Sequence, residues 1–78
     1  MAIHHHKTAA HLLPGQSGVI SGFTREDLSL KLLEMGLLPE SEIALVRIAP
    51  LGDPLYFRVG EYHLSLRKEE AATVLLHA

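Results

Sequence analysis

The chain contains no cysteine. This absence excludes disulfides, thiolate metal ligands and cysteine nucleophiles, and it fits a reducing compartment. No apolar run approaches the roughly 18 residues that a membrane-spanning helix needs. The N-terminal residues Met1–His6 also lack the apolar stretch of a signal peptide. We therefore expect a cytoplasmic protein with no direct membrane insertion.

Basic residues are few and scattered. Seven Lys and Arg stand against nine Asp and Glu, for a formal charge of −2, and no basic block could neutralise a series of phosphates. Nucleic acid is thus not an expected partner. With 78 residues, of which 47% are hydrophobic, the chain can build one core but not two.

The N-terminal segment, residues 1–8, shows no hydrophobic period, and we expect it to be flexible and to lie outside a domain formed by residues 9–78. Its His4-His5-His6 run is either native or the remnant of a purification tag. These histidines, with His11, can bind divalent metals in solution. A flexible run lacks the fixed geometry of a functional site, however, so we predict no resident metal site and no cofactor.

The rest of the chain is typical of short strands separated by Gly and Pro, with one helix. Leu28, Leu32 and Met35 share one face of a helix predicted at Arg25–Met35, with Thr24 and Asp27 as a capping pair and Gly36 at its C-terminal end. The strands are predicted at Ala9–Leu13, Gly18–Phe23, Glu42–Ala49 (buried on both faces), Leu55–Val59, Tyr62–Arg67 and Thr73–His77. Gly60-Glu61 is predicted as a tight hairpin turn, and Val74 and Leu76 are predicted to point inward. Five or six strands in so short a chain favour a mainly β, SH3-like barrel with an inserted helix.

No pattern typical of an active site is present. The glycines do not form a phosphate-binding loop, and no serine has the Gly-x-Ser-x-Gly context of a nucleophile elbow. The carboxylates are scattered singly or lie side by side on what is most simply a solvated surface. We therefore predict that the chain is not an enzyme and has no catalytic residue.

Two apolar features are candidates for protein binding. One is the stiff loop formed by Pro50, Leu51, Gly52, Asp53 and Pro54. In one interpretation Leu51 projects as a docking residue, and in the other it folds back over the barrel mouth while the prolines protect a sheet edge. The second feature is the helix, whose Leu30, Leu33 and Leu37 exceed what one helical face can bury.

Two segments make the chain similar to a known family. The predicted helix ends with Lys31-Leu32-Leu33-Glu34-Met35-Gly36-Leu37. After it come, in this order, the two segments Ile48-Ala49-Pro50-Leu51-Gly52-Asp53-Pro54 and Leu64-Ser65-Leu66-Arg67-Lys68-Glu69-Glu70-Ala71. With this order of segments the chain resembles the FeoA family. The resemblance covers about Ala9 to His77. It implies an SH3-like accessory of the ferrous-iron transporter FeoB, acting on the transporter's cytosolic, GTPase-bearing portion. The loop and the helix leucines then become candidate contacts for the transporter or, in a homo-oligomer, for another copy of the chain.

The chain departs from the family pattern after the helix, where Pro39-Glu40 replaces the usual Pro-Gly. We therefore expect this turn to avoid the positive φ that glycine allows. The same barrel also forms the C-terminal domain of iron-dependent repressors of the DtxR type. A metal-sensing or regulatory domain is accordingly the alternative hypothesis.

Overall fold

A computed structural model describes residues 7–77, and its elements confirm a mainly β protein with one substantial helix. A 3₁₀ turn at Ala9–His11 precedes the regular elements. These are, in chain order, β1 (Ser17–Phe23), α1 (Glu26–Glu34), β2 (Glu42–Ile48), β3 (Leu55–Val59), β4 (Tyr62–Leu66), α2 (Lys68–Ala71) and β5 (Val74–Leu76).

The five strands form one antiparallel sheet in the order β4-β3-β2-β1-β5. Strands β3 and β4 are joined by the predicted two-residue turn Gly60-Glu61, with Val59 opposite Tyr62. The last strand returns to pair with β1, so the sheet is extended at that end by the C-terminal segment. At the other end of the sheet, β4 is the edge strand.

Alternate residues of the strands supply the core, as the period of two requires. Phe57 at its centre is fully buried, and Val74 and Leu76 point inward as predicted. Helix α1 contributes Leu32, while Leu28 and Met35 pack against the core from its margin. Among residues 7–77 the core contains 14 buried residues, which come from every strand, both helices and the 3₁₀ turn, together with Leu12 and Leu37 of the connecting segments.

The central strand β2 is buried on one side only, so the prediction that it is buried on both faces is wrong. Ile43 and Leu45 are buried, but Val46 and Ile48 are 47% and 38% exposed. An irregularity between Leu45 and Arg47 interrupts the pairing with β3. Such a bulge re-aims the side chains that follow it, which is how apolar residues reach the outer face.

The predicted strand Ala9–Leu13 is a 3₁₀ turn instead. The His11 amide donates to the Thr8 carbonyl at 3.0 Å, which closes the turn, and His11 Nδ1 accepts a hydrogen bond from the Thr8 amide at 3.0 Å. Thr8 also pairs with Leu75, and the Leu76 amide donates to the Lys7 carbonyl, so the ordered domain includes two residues that we expected outside it. The flexibility predicted for residues 1–6 lies outside the described residues.

Helix α1 lies where the sequence predicts it, with Arg25 as its N-cap and Met35 as its C-cap. The predicted capping pair is wrong, since the Asp27 carboxylate bonds to the Arg25 guanidinium instead of to Thr24. Gly36 follows with φ of 98°, which ends the helix as expected.

The turn after α1 also contradicts its prediction, because Glu40 has φ of 72°. The Glu40 amide donates to the Ile20 carbonyl at 2.7 Å, and the Ile20 amide donates to the Ser41 carbonyl at 2.9 Å. These two bonds attach the turn to β1 and outweigh the steric cost of left-handed backbone. Among residues 7–77 no helix is long and apolar enough to cross a membrane.

Candidate functional site

The loop between β2 and β3 is held by hydrogen bonds at both of its ends. The Ala49 amide donates to the Pro54 carbonyl at 3.0 Å, and the Gly52 amide donates to the Ala49 carbonyl at 2.8 Å. Gly52 has φ of 89°, and the Asp53–Pro54 peptide bond is cis. In addition, the Lys68 amide donates to Asp53 Oδ1 at 2.9 Å, which ties the loop to the start of α2. The loop is therefore a fixed part of the surface.

Leu51 lies at the tip of this loop and is 98% exposed. It does not fold back over the barrel, so the alternative in which it covers the barrel mouth is wrong. Pro50 beside it is also exposed. A large aliphatic side chain held in water on a fixed loop is the arrangement expected of a docking residue.

A polar cleft of about 340 Å³ lies beside the loop. It is lined by residues of the loop, α1, β4 and α2: Lys31, Asp53, Pro54, Ser65, Arg67 and Glu70. The cleft thus brings part of the predicted loop next to helix α1. Leu30 and Leu33 do not line it.

Glu70 connects two of the elements that line the cleft. Its carboxylate accepts from Lys31 Nζ at 2.9 Å and from the Arg67 amide at 2.9 Å. The hydrogen bond from Lys31, followed by that from the Arg67 amide, lowers the pKa of Glu70 below its ordinary value. The Glu70 carboxylate therefore links α1 to α2 and fixes the relative position of these two elements beside the cleft.

The three predicted helix leucines have different environments. Leu30 is 65% exposed and Leu33 is 36% exposed, so both lie on the surface of α1. Leu37, which follows the helix, is fully buried in the core. The prediction that Leu37 is exposed for partner binding is wrong, because the chain reverses at Gly36 and turns this side chain inward.

Sequence reasoning did not select Lys31, Arg67 or Glu70 as site residues. A signal was present, since Arg67 and Glu70 belong to the Leu-x-Leu-Arg-x-x-Glu-Ala segment of the resemblance and stand three residues apart. That spacing lets a carboxylate cap the first turn of a helix, as Glu70 does here. Lys31 comes from a distant segment, and only the fold reveals its contact.

No three His, Asp or Glu side chains of residues 7–77 are grouped so that they could hold a metal ion. Two of the histidines have other contacts: His11 bonds to Thr8, and His77 Nε2 lies 2.9 Å from Glu40 Oε1. The run His4–His6 lies outside the described residues.

The chain is similar to proteins of one family along almost its whole length. The model of the FeoA domain matches residues 7–77. A fusion protein of Fe(2+) transport protein A and the Fe(2+) transporter FeoB from Porphyromonas gingivalis is 46% identical over 44 residues, which are 56% of this chain and 5% of that protein. The chain therefore spans a small fraction of this curated relative.

Two solved structures share the fold closely. A FeoA-like protein from Clostridium acetobutylicum is 29% identical with a TM-score of 0.86, covering 96% of this chain and 88% of its own. FeoA from Stenotrophomonas maltophilia, solved with zinc and described as a prokaryotic SH3 domain protein, is 26% identical with a TM-score of 0.78, covering 91% and 89%. The predicted SH3-like fold is thereby confirmed. A manganese-dependent transcriptional repressor matches with a TM-score of 0.79 at 8% identity, which shows a shared fold alone.

Proposed function

Since the chain belongs to the FeoA family, we propose that it is an accessory protein of bacterial ferrous-iron uptake that docks on the cytosolic portion of a FeoB transporter. The relative that joins transport protein A and FeoB in one polypeptide carries this proposal. A fusion keeps the two partners at high effective concentration, which is useful only when they act together. The proposal places the chain in the cytoplasm and gives it no catalytic step.

The contact surface that we assign is the docking loop, residues Pro50–Pro54, with Leu51 at its centre. Leu51 is almost completely exposed in the free chain, so a partner can remove nearly its whole side chain from water. Full burial of a leucine stabilises a complex by about 1.5–3 kcal/mol, which corresponds to roughly 10- to 150-fold in affinity. Because hydrogen bonds already order the loop, little conformational entropy is lost on binding.

The polar cleft gives this surface its specificity. Glu70 and Asp53 accept hydrogen bonds from within the chain, whereas the Arg67 guanidinium forms no ion pair with any described residue. Arg67 is therefore available to a carboxylate of the partner at the rim of the Leu51 contact. We also assign Leu30 and Leu33, which are exposed on α1 outside the cleft, to the contact surface.

Titration calorimetry of the chain against the purified cytosolic portion of its cognate FeoB, with and without a GTP analogue, tests this proposal. We expect saturable binding in at least one nucleotide state, and we expect Leu51→Asp to weaken it at least 10-fold.

Leu13→Asp is the matched control, because Leu13 is also an exposed leucine, at 60%, on a different loop. Equal weakening by both variants would show a general charge effect and remove the docking loop from the proposal. Absence of binding in both nucleotide states would overturn docking on the cytosolic portion itself.

The metal-sensing alternative has less support. Its likeness to the repressors rests on fold alone, and residues 7–77 hold no grouped metal ligands. Fe²⁺ or Mn²⁺ binding at micromolar concentration that survives replacement of His4, His5 and His6 by alanine would favour it over docking. Self-association through the leucines stays a prediction, which sedimentation of the free chain checks.

A further inference from the structure

The outer face of the sheet carries a second surface that the docking loop does not explain. Its residues form two rows across β2, β3 and β4. In one row Arg47 stands opposite Tyr56, and Tyr56 stands opposite Ser65. In the other row Ala44 stands opposite Arg58, and Arg58 stands opposite His63. We call these six residues the outer sheet face.

The outer sheet face is cationic without internal neutralisation. Arg47 lies over the Tyr56 ring, with 4.4 Å from guanidinium carbon to ring centroid, and neither Arg47 nor Arg58 forms an ion pair with any of residues 7–77. The carboxylate of β2, Glu42, lies at the far end of the strand and accepts from Ser17 Oγ at 3.4 Å. The chain as a whole is nevertheless acidic. Arg47 and Arg58 are thus two exposed cations without an ion-pair partner among the described residues.

This face adjoins the open edge of the sheet. The pair Val59–Tyr62 closes a two-residue hairpin and is therefore a hydrogen-bonded pair, so Leu64 and Leu66 face β3 in the same way. By alternation the backbone N–H and C=O groups of His63 and Ser65 point away from β3. Within residues 7–77 neither residue takes part in a backbone hydrogen bond outside the sheet ladder. Both residues are exposed, so this edge can accept another strand.

A cleft of about 400 Å³ lies beside this edge, lined by residues of both rows together with Val46, Phe57 and Leu64. Exposed Val46 lies at the irregularity of β2, which adds an apolar side chain to the rim of the cationic rows. Charged residues at the edge of a sheet commonly serve only to prevent aggregation, and residues with that role lie on the edge strand itself. Here the two arginines are on the interior strands β2 and β3, which edge protection does not require.

We propose that the outer sheet face binds an extended acidic segment of a partner protein, which adds as a strand to the free edge of β4. A residue of the added strand opposite His63 continues the Arg58 row, and a residue opposite Ser65 continues the Arg47 row. These two positions are two residues apart on the same face of the added strand, because side chains alternate. Strands lie about 4.8 Å apart, so a carboxylate opposite His63 is within reach of Arg58, which is two strands away. Arg47 is three strands away, and its guanidinium, held over the Tyr56 ring of β3, adds positive charge to the row opposite Ser65. The recognised chemistry is a strand with acidic residues at every second position.

The outer sheet face shares no residue with the docking loop, although Ser65 also lines the polar cleft, and the inference does not depend on the proposed function. The argument for an acidic peptide as occupant is charge complementarity with Arg47 and Arg58, together with the unpaired backbone of β4. A nucleic acid would satisfy the charges but not the edge amides, and this difference makes the two occupants separable by experiment.

The test uses the full ¹⁵N-labelled chain and a capped eight-residue peptide of alternating glutamate and threonine. We expect saturable amide shifts in β4 and slowed hydrogen exchange at the His63 and Ser65 amides, with Leu64 already protected in the free chain. A peptide of alternating lysine and threonine is the matched control and should produce neither effect. Raising the salt concentration should weaken binding of the glutamate peptide, since Arg47 and Arg58 are exposed and their charges are screened by salt.

Variants separate this surface from general electrostatics. Arg58→Glu should lower the affinity for the glutamate peptide at least 10-fold, and Arg58→Gln should lower it to a smaller degree. Lys7→Glu makes the same charge change at the opposite, β5 edge of the sheet and should leave binding within twofold. Binding without protection of the His63 and Ser65 amides, equal effects of Arg58→Glu and Lys7→Glu, or equal binding of the lysine peptide or of an oligothymidylate would overturn the proposal.

Discussion

Replacing Gly18 by alanine places a methyl group against Leu76 across the β1–β5 pair. A Cβ atom built at Gly18 lies 2.8 Å from Leu76 Cδ1 and 3.5 Å from Leu76 Cγ. Carbon atoms in contact normally stand about 3.5–4.0 Å apart, so the Cδ1 contact is too short by about 1 Å. Leu76 is 4% exposed, so its side chain has core neighbours around it. The contact must therefore be relieved by rotation of the Leu76 side chain against those neighbours.

The magnitude follows from two opposing effects. Overpacking a core costs about 1–3 kcal/mol, whereas removing a glycine from the unfolded chain returns about 0.4–1 kcal/mol. The difference between these ranges predicts that Gly18→Ala lowers the free energy of unfolding by up to about 2.5 kcal/mol. Gly22→Ala is the matched control in the same strand, because a Cβ atom there has no neighbour within 4 Å. That variant should be neutral or more stable by up to about 1 kcal/mol.

A double-mutant cycle with Leu76→Val isolates the contact. Valine has no δ-carbon, so the atom that clashes is absent, and the double variant should be less destabilised than the sum of the single variants by about 1 kcal/mol. Urea unfolding followed by tyrosine fluorescence measures all four proteins, since the chain has two tyrosines and no tryptophan. Equal effects of the two glycine substitutions, or additivity in the cycle, would refute the packing of β5 on β1.

Three further predictions follow from individual contacts. Because Glu40 has positive φ, Glu40→Gly should be more stable than Glu40→Ala by about 0.5–1 kcal/mol in urea unfolding, and equal stability would contradict the strain. Glu70→Gln should lower the free energy of unfolding by about 1 kcal/mol at pH 7. Since the folded-state pKa of Glu70 is lowered, the stability difference between the two proteins should persist above the unfolded-state pKa and vanish as pH falls through the folded-state pKa. Urea unfolding of both proteins between pH 7 and pH 3 measures this difference. Leu37→Ala should cost about 2–5 kcal/mol and Leu30→Ala less than about 0.5 kcal/mol, and similar values by thermal unfolding would place Leu37 outside the core.

Local patterns predicted the elements that depend on local chemistry. The apolar period of Leu28, Leu32 and Met35 located α1, because that spacing is a property of the helix itself. The Gly60-Glu61 pair located the β3–β4 hairpin for a similar reason. Glu40 shows where such reasoning fails. Its positive φ is imposed by hydrogen bonds to Ile20, twenty residues earlier in the chain, and a local residue preference cannot anticipate them.

The docking loop was predictable as a feature but not as a site. Two prolines and a glycine indicated a stiff connection, whereas the position of Leu51 depends on bonds between Asp53 and the start of α2. Leu37 illustrates the opposite error. It continues the apolar sequence of α1, but one change of backbone direction at Gly36 places it in the core.

The outer sheet face was hidden from sequence reasoning because net charge is a sum over the whole molecule. The sequence contains no basic block, and Arg47 and Arg58 are eleven residues apart, so neither the total charge of −2 nor the local sequence indicates a cationic surface. Pairing of β2 with β3 brings them to neighbouring rows of one face, and three of the acidic residues lie on α1. Exposed charges are screened beyond roughly 10 Å at 0.1 M salt, so a partner responds to the local arginines and not to the total. An acidic protein can therefore present a binding surface for an acidic strand.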